Sequence, residues 1–188
     1  MEMEQKPISD ETLAVLVRTK NQELYRELVE RYQEKIVKYI TYLINDRNQA
    51  LDVAQEVFLK AFINLWGFNP SLKFSSWIYR IAHNEAINFI KKSKKEILFE
   101  PENFPEVEDT KNDILVDLKN KELAEFINKG LSRLPLNYRE PLALYYLEEK
   151  SYQEISDILR QPINTIGVNI MRGKKILRSI FQKNGYTK

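Results

Sequence analysis

The chain reads as an all-α protein, two small helical domains joined by an acidic linker, and three observations carry that reading. Apolar residues recur at helical spacing along almost all of its 188 residues, without the sustained period-two alternation that a sheet requires. Between Glu96 and Asp113 the composition shifts to seven acids against one lysine, with Pro101 and Pro105 among them, as a solvated spacer would read. From Ser151 to Ile180 a capped amphipathic helix, a Pro-containing break and a second helix rich in Arg and Lys follow in order, the pattern of a helix-turn-helix. The domains are therefore drawn at residues 1–95 and 114–188, with the linker at 96–113.

The first helix is expected after a cap at Asp10, with Leu13, Leu16 and Val17 inward. A second begins near Asn21, repeats Leu24, Leu28, Tyr32, Ile36, Ile40 and Leu43 at helical spacing, and ends near Asn45-Asp46. The third runs from about Gln49 to Leu65. Its inward stripe is Ala54, Val57, Phe58, Ala61 and Leu65, which places Asp52, Gln55, Glu56 and Lys60 on the opposite side. Trp66-Gly67-Phe68-Asn69-Pro70 breaks it.

The fourth helix, about Ser75 to Lys92, buries Trp77, Ile78, Ile81, Ala82 and Ile90 and leaves Tyr79, Arg80, His83, Asn84, Asn88, Lys91 and Lys92 nearer to solvent. Four lysines within Lys91–Lys95 close it; they complement the negative end of the helix dipole and equally suit phosphates. Helical pattern resumes near Ile114 and runs to Leu131, and Asn137–Leu147 forms another helix, with Pro141 calling for a late start or a bend.

In the last pair, Ser151 caps a helix whose capping-box partner is Glu154 and whose apolar face is Ile155, Ile158 and Leu159. After Arg160-Gln161-Pro162, Ile166, Ile170, Leu177 and Ile180/Phe181 face inward, while Thr165, Asn169, Arg172, Lys174, Lys175 and Arg178 are free to face outward. Such an outward face suits the major groove of DNA. By itself the segment fits a helical pair that never meets nucleic acid equally well.

Composition narrows the function classes. An apolar fraction of 43% supports a real core, and 29 basic against 27 acidic side chains leave a net charge of only +2, so any affinity for nucleic acid must come from how charge is distributed. The absence of cysteine removes disulfides, thiolate zinc sites and thiol catalysis, and fits a reducing cytoplasm. The polar N-terminus and the lack of any long apolar run predict a cytoplasmic chain with no membrane insertion. None of the five glycines builds a phosphate-cradling loop, and His83 is the single histidine. No catalytic residue, metal site or cofactor is expected.

Two stretches go further. Asp52-Val53-Ala54-Gln55-Glu56-Val57-Phe58-Leu59-Lys60-Ala61-Phe62, followed by Phe74-Ser75-Ser76-Trp77-Ile78-Tyr79-Arg80-Ile81-Ala82-His83-Asn84, closely resembles the second conserved region of bacterial extracytoplasmic-function sigma factors. Leu134-Pro135, Tyr138-Arg139-Glu140, Ser151-Tyr152-Gln153-Glu154-Ile155 and Pro162-Ile163-Asn164-Thr165-Ile166 resemble that family's fourth region, in order and at its spacing. The resemblance spans roughly Asn21 to Phe181.

The resemblance implies an alternative sigma factor that binds core RNA polymerase, recognises promoter DNA and promotes its melting. Asp52, Gln55, Glu56 and Lys60 would meet the polymerase. The loop Asn69–Ser76, with Tyr79, Arg80, His83, Asn84, Asn88, Lys91 and Lys92, would hold the unpaired minus-10 strand, Asn84 being the best placed for a base edge because its amide offers both donor and acceptor. Asn164, Thr165, Asn169, Arg172, Lys174, Lys175 and Arg178 would meet the minus-35 duplex. An anti-sigma factor is a further implied partner.

The chain departs from the family pattern after Thr165-Ile166, where Gly167, Val168 and Asn169 stand in place of a basic residue, a small polar residue and an arginine. Duplex affinity with weaker or altered base readout is the expectation. Two other classes remain open to the residues alone: a stand-alone helix-turn-helix regulator, and a helical adaptor whose basic runs only solubilise it.

Overall fold

The computed structural model describes residues 8–93 and 130–183. The acidic linker, the predicted helix from Ile114 as far as residue 129, and Lys94 and Lys95 lie outside the described residues. Every regular element among the described residues is helical.

Helix α1 (Asp10–Thr19) is capped by Ser9, whose hydroxyl accepts from the Thr12 N–H. The expected cap, Asp10, is instead the first helical residue. Its carboxylate reaches across to α2 (Tyr25–Ile44), accepting from Arg31 at 2.6 Å and from the Tyr32 hydroxyl at 2.5 Å. Ser9 wins the cap because its extended backbone aims a short acceptor at the open N–H groups, which frees the longer acid to tie two helices together.

A 3₁₀ turn over Gln22–Leu24, capped by Asn21, leads into α2. Asn45, in the left-handed region at φ 58°, ends it, and Asp46 caps α3 (Arg47–Ile63) by accepting from the N–H groups of Asn48 and Gln49. The α3 cap thus sits three residues before the expected start at Gln49, and Leu65 belongs to a following 3₁₀ turn, Leu65–Gly67. Arg18 fixes that turn: one guanidinium nitrogen donates to the carbonyls of Leu65, Trp66 and Phe68 at 3.4, 3.2 and 3.1 Å. Helix α4 spans Phe74–Lys92.

In the C-terminal half, α5 (Leu136–Leu142) contains Pro141 in its interior rather than in its first turn. The hydrogen-bond ladder then widens into a π-helical segment, Ala143–Leu147, in which the Glu148 N–H bonds to the Ala143 carbonyl five residues back. Helix α6 (Tyr152–Leu159) carries the predicted capping box of Ser151 and Glu154, and Arg160 at φ 55° turns the chain into α7 (Ile163–Lys183). Gly173 is where α7 presses on α5. A Cβ there would lie 2.6 Å from a Leu142 methyl and 3.2 Å from Tyr138 Cβ, so only glycine permits that approach.

Helix α2 packs on α3 and α4, and α5 packs on α7. The two halves also meet directly, α6 lying on α4 and α5 on α2. Tyr39, Phe74, Ile78 and Tyr79 are all at most 1% exposed in the N-terminal half, as are Leu134, Leu144, Ile155, Ile158 and Ile166 in the C-terminal half.

Candidate nucleic-acid interface

The outward side of α3 forms as its periodicity predicts. Asp52, Gln55 and Glu56 are exposed and Val53, Ala54, Val57 and Phe58 are buried, so one face is given to the core and the other to water. Lys60 differs from its three neighbours. Its ammonium is 2.5 Å from the Glu85 carboxylate on α4, and the pair braces the two helices against each other. Leu51 and Leu59, both exposed, add apolar surface beside the polar stripe, a mixture that suits a protein partner more than plain solvent.

On α4 the expected surface divides in two. Asn84, Asn88, Lys91 and Lys92 are exposed. Tyr79 is not near solvent as its position suggested; it is 1% exposed, its ring beside that of Tyr39 and its hydroxyl donating to Glu148 of the C-terminal half. Burial, with the nearby Glu148 charge, raises the Tyr79 phenol far above its ordinary range, so it stays a neutral donor. Arg80 and His83 are half-buried. Arg80 donates twice to the Asp157 carbonyl, at 2.9 and 2.5 Å, and the His83 Nδ1 lies 2.7 Å from Glu140.

Glu140 is the centre of this junction. It is 4% exposed and its Oε1 also accepts from the buried Tyr39 hydroxyl at 2.5 Å. Beside it Glu148 is held among Tyr79, Lys35, Lys38 and Lys150, and burial raises its pKa despite the Tyr79 hydrogen bond and the lysines, which favour the ionised form. The Lys150 ammonium sits 4.7 Å from the centre of the Tyr79 ring, and burial lowers its pKa. Local periodicity singled out none of Tyr39, Glu148 and Lys150 for function. The available signal was an acid, Glu140, set directly before the apolar run Pro141-Leu142-Ala143-Leu144.

The loop before α4 is also engaged. The Lys73 ammonium lies 2.9 Å from Glu154, the capping-box acid of α6. Burial alone would raise the Glu154 pKa, but hydrogen bonds from the Ser151 hydroxyl, the Ser151 N–H and Lys73 hold it down to about 2. Trp77 is packed between Phe68 and Phe74 with ring centres 5.2 and 5.5 Å away, in keeping with its place on the apolar stripe.

The helix-turn-helix presents Asn164, Thr165 and Arg172 as exposed, and Asn169, Lys174, Lys175 and Arg178 as partly exposed. Lys174 lies over the Tyr146 ring at 5.5 Å. Gly167 has no packing reason to be glycine: a Cβ there would meet only the Tyr152 ring, at 3.6 Å. Val168 and Met171 are exposed at 39% and 47%, which gives the outward side of α7 an apolar component absent from the expected basic face. Among the described residues no group of acids and His83 is arranged to hold a metal ion, and no helix is long and apolar enough to cross a membrane.

Known proteins share this arrangement. Residues 28–96 match the family model of Sigma-70 region 2, and residues 127–177 match that of Sigma-70, region 4. The ECF RNA polymerase sigma factor SigW of Bacillus subtilis is 32% identical over 174 residues, covering 86% of this chain and 91% of that protein. The ECF RNA polymerase sigma-E factor of Haemophilus influenzae is 28% identical over 187 residues, covering 93% and 96%. Among solved structures, CnrH in complex with the cytosolic domain of CnrY superposes with a TM-score of 0.71 at 18% identity, over 94% of this chain and 99% of that one. The sigma factor RpoE of Bartonella quintana, in complex with the anti-sigma factor NepR, gives 0.66 at 20% identity, over 84% and 96%. At those identities the two structures speak for the fold.

Proposed function

The chain belongs to the extracytoplasmic-function sigma factors, alternative sigma factors for transcription initiation, and from that membership we propose how its surfaces divide the work. Asp52, Gln55 and Glu56 on α3 dock on core RNA polymerase, with Lys60 bracing the helix from behind through Glu85. Asn84, Asn88, Lys91 and Lys92 on α4 hold the unpaired minus-10 strand, with the half-buried Arg80 and His83 and the loop Asn69–Ser76 beside them, while Tyr79, buried, supports the helix from within. Amides take the bases and cations take the phosphates. Asn164, Thr165, Asn169, Arg172, Lys174, Lys175 and Arg178 set α7 on the minus-35 duplex, largely through phosphates, since Gly167, Val168 and Asn169 bring few base-reading groups.

The observation that carries this reading is the presence of two separate exposed polar stripes on one small helical domain, Asp52, Gln55 and Glu56 on α3 and Asn84, Asn88, Lys91 and Lys92 on α4. A protein that must hold polymerase and a nucleic acid at once needs both. Strand separation is driven by the binding energy of captured bases, and the chain supplies specificity while the polymerase makes RNA. It works in the cytoplasm with no cofactor, and domains at residues 1–95 and 114–188 joined by the 96–113 linker suit two promoter elements held at a fixed spacing. An anti-sigma factor is a fitting third partner, because one structure of the same fold was solved with an anti-sigma factor bound and another with the cytosolic domain of a second protein.

A stand-alone regulator or a non-DNA-binding adaptor is not favoured, since neither has use for the region 2 match. Run-off transcription with purified core polymerase and a library of upstream DNA is the test. Specific initiation that appears only with this chain, and is lost in Gln55→Ala/Glu56→Ala, is the expected result; initiation absent throughout the library would refute it.

A further inference from the structure

We propose that α7 reads thymine by its methyl group, with Val168 and Met171 as the specificity-determining pair and Asn164 beside them for an adjoining adenine. The inference rests on the assignment of α7 to duplex DNA, and deepens it by naming the base pairs that the helix prefers.

The middle of the outward face of α7 is not basic. Ile166, Ile170, Gly173 and Leu177 are buried and mark the inward side of the helix. Asn164, Val168, Met171 and Lys175 recur at helical spacing opposite them, with Thr165 and Arg172 alongside. Val168 and Met171, both exposed, occupy the centre of that ridge, so any surface on which this side of α7 docks meets them first. Single exposed apolar side chains are ordinary on a protein surface. Here two adjacent ones stand between an amide at one end and cations at the other. Gly167 flanks the ridge. A Cβ there would meet only the Tyr152 ring, at 3.6 Å, so packing does not require glycine, and its bare backbone leaves the ridge clear to enter a groove.

Chemistry selects the base. In the major groove thymine alone among the four bases presents a methyl group, and apolar side chains read it by contact. Valine has no hydrogen-bonding group and the methionine sulfur is only a weak acceptor. Against a G·C pair the two side chains would cover the polar edges of guanine and cytosine and leave them unsatisfied. Against an A·T pair they cover a methyl group, and the burial is favourable on both sides. The step from Val168 to Met171 advances about 4.5 Å along the helix axis, little more than one base-pair step of about 3.4 Å, so the two side chains meet the methyl groups of successive pairs. Asn164, one turn before Val168, offers the donor and acceptor that match the major-groove edge of adenine. Arg172 and Lys175 take phosphates, which fix the register without carrying sequence. Where the chain departs from the family pattern, base readout passes from hydrogen bonds to apolar contact.

The ridge is exposed in the free chain, so the full-length protein can be tested alone, by equilibrating it at low salt with a randomised duplex library and sequencing the retained duplexes. Two successive A·T pairs are the expected core. The preferred duplex is then made again with deoxyuridine in place of thymidine, which removes the methyl groups and keeps every hydrogen-bonding edge. Affinity should fall about fourfold for each methyl group read, and so about 15-fold for the pair. Val168→Ser/Met171→Gln should bind the thymine and uracil duplexes alike. If the double variant does not fold, Met171→Gln alone should cut the ratio to about fourfold. Arg172→Ala, which removes a phosphate contact, should weaken both duplexes by the same factor and leave the ratio unchanged. A parent chain that holds the thymine and uracil duplexes equally, a ratio that the double variant keeps, or a core of G·C pairs would overturn the inference while leaving α7 on DNA. Retention of no duplex at low salt would instead refute the assignment of α7 to DNA, and this inference with it.

Discussion

Helices α3 and α4 are neighbours of similar length in one domain, yet the structure treats their outward faces differently. Among the described residues the polar stripe of α3 is tied to another element only through Lys60–Glu85, whereas on α4 Tyr79, Arg80 and His83 meet Glu148, Asp157 and Glu140 of the C-terminal half. A face kept open costs the fold little to change. A face that another part of the chain covers is bound to stability and function at once, and its variants report on both. That difference leaves the α3 stripe accessible to a partner as the chain stands, whereas a partner of Tyr79, Arg80 or His83 would compete with Glu148, Asp157 and Glu140.

The sharpest way to break the comparison is to reverse the charge of the α3 stripe. Asp52→Lys/Glu56→Lys should reduce affinity for core polymerase by about 100-fold, in the range that lost complementary charge produces at an interface. Its melting temperature should stay near that of the parent, since exposed substitutions rarely change stability by more than about 0.5 kcal/mol. Equal losses in both would mean that α3 is less open than it looks. The matching variant on the covered side is Glu140→Ala. It strips the Tyr39 hydroxyl and His83 of their shared partner in a buried site, for a cost of roughly 2–4 kcal/mol readable by chemical denaturation.

The two glycines of α7 sharpen the same lesson inside the C-terminal half. Gly173 faces α5, and a methyl group there would meet Leu142 at 2.6 Å, so Gly173→Ala should cost about 1–3 kcal/mol by overpacking. Gly167 meets only the Tyr152 ring, at 3.6 Å, so Gly167→Ala should gain up to about 1 kcal/mol through helix propensity. Thermal unfolding of the pair measures both signs in one experiment. A loss at Gly167 would show that a side chain is excluded there for a reason that helix packing does not supply.

The inward and outward faces of α3 were legible from the sequence because helical periodicity alone decides them: Val53, Ala54, Val57 and Phe58 fall on one side and Asp52, Gln55 and Glu56 on the other. The capping box at Ser151 and Glu154 was legible for the same reason, the determinant lying within one turn. Tyr79 is buried against expectation because its partners, Tyr39, Glu148 and Lys150, come from elements distant in sequence, and no local pattern encodes them. Asp10 was assigned the cap that Ser9 holds, since both residue types can cap and only the position of Arg31 and Tyr32 decides between them. The widening after Pro141 is legible only in part: Pro141 shows that the ladder must be disturbed, whereas local periodicity does not encode the π-helical form, with Ala143 and Leu144 buried, that the disturbance takes.

The smallest effect isolates a carboxylate that serves both a helix cap and a contact between the two halves. Glu154 caps α6 and also meets Lys73 from the loop before α4; its folded pKa of about 2 lies below the ordinary value of 4.5. A carboxylate with a depressed folded pKa binds protons more weakly in the folded chain than in the unfolded one. Its contribution is thus complete above pH 4.5 and is lost as pH falls from there through about 2. The Lys73 side chain is 68% exposed, so water and salt screen that half of the arrangement, leaving the Ser151 cap as the main contribution, about 1 kcal/mol. Denaturation midpoints of the parent chain and of Glu154→Ala, which removes the capping acceptor, should differ by that amount at neutral pH and draw together as pH approaches 2. Added salt should narrow the gap only slightly, because the Ser151 hydrogen bonds are local while the Lys73 pair is exposed. A gap that closes with salt at neutral pH would instead assign the stability to the Lys73 contact between the halves and not to the cap.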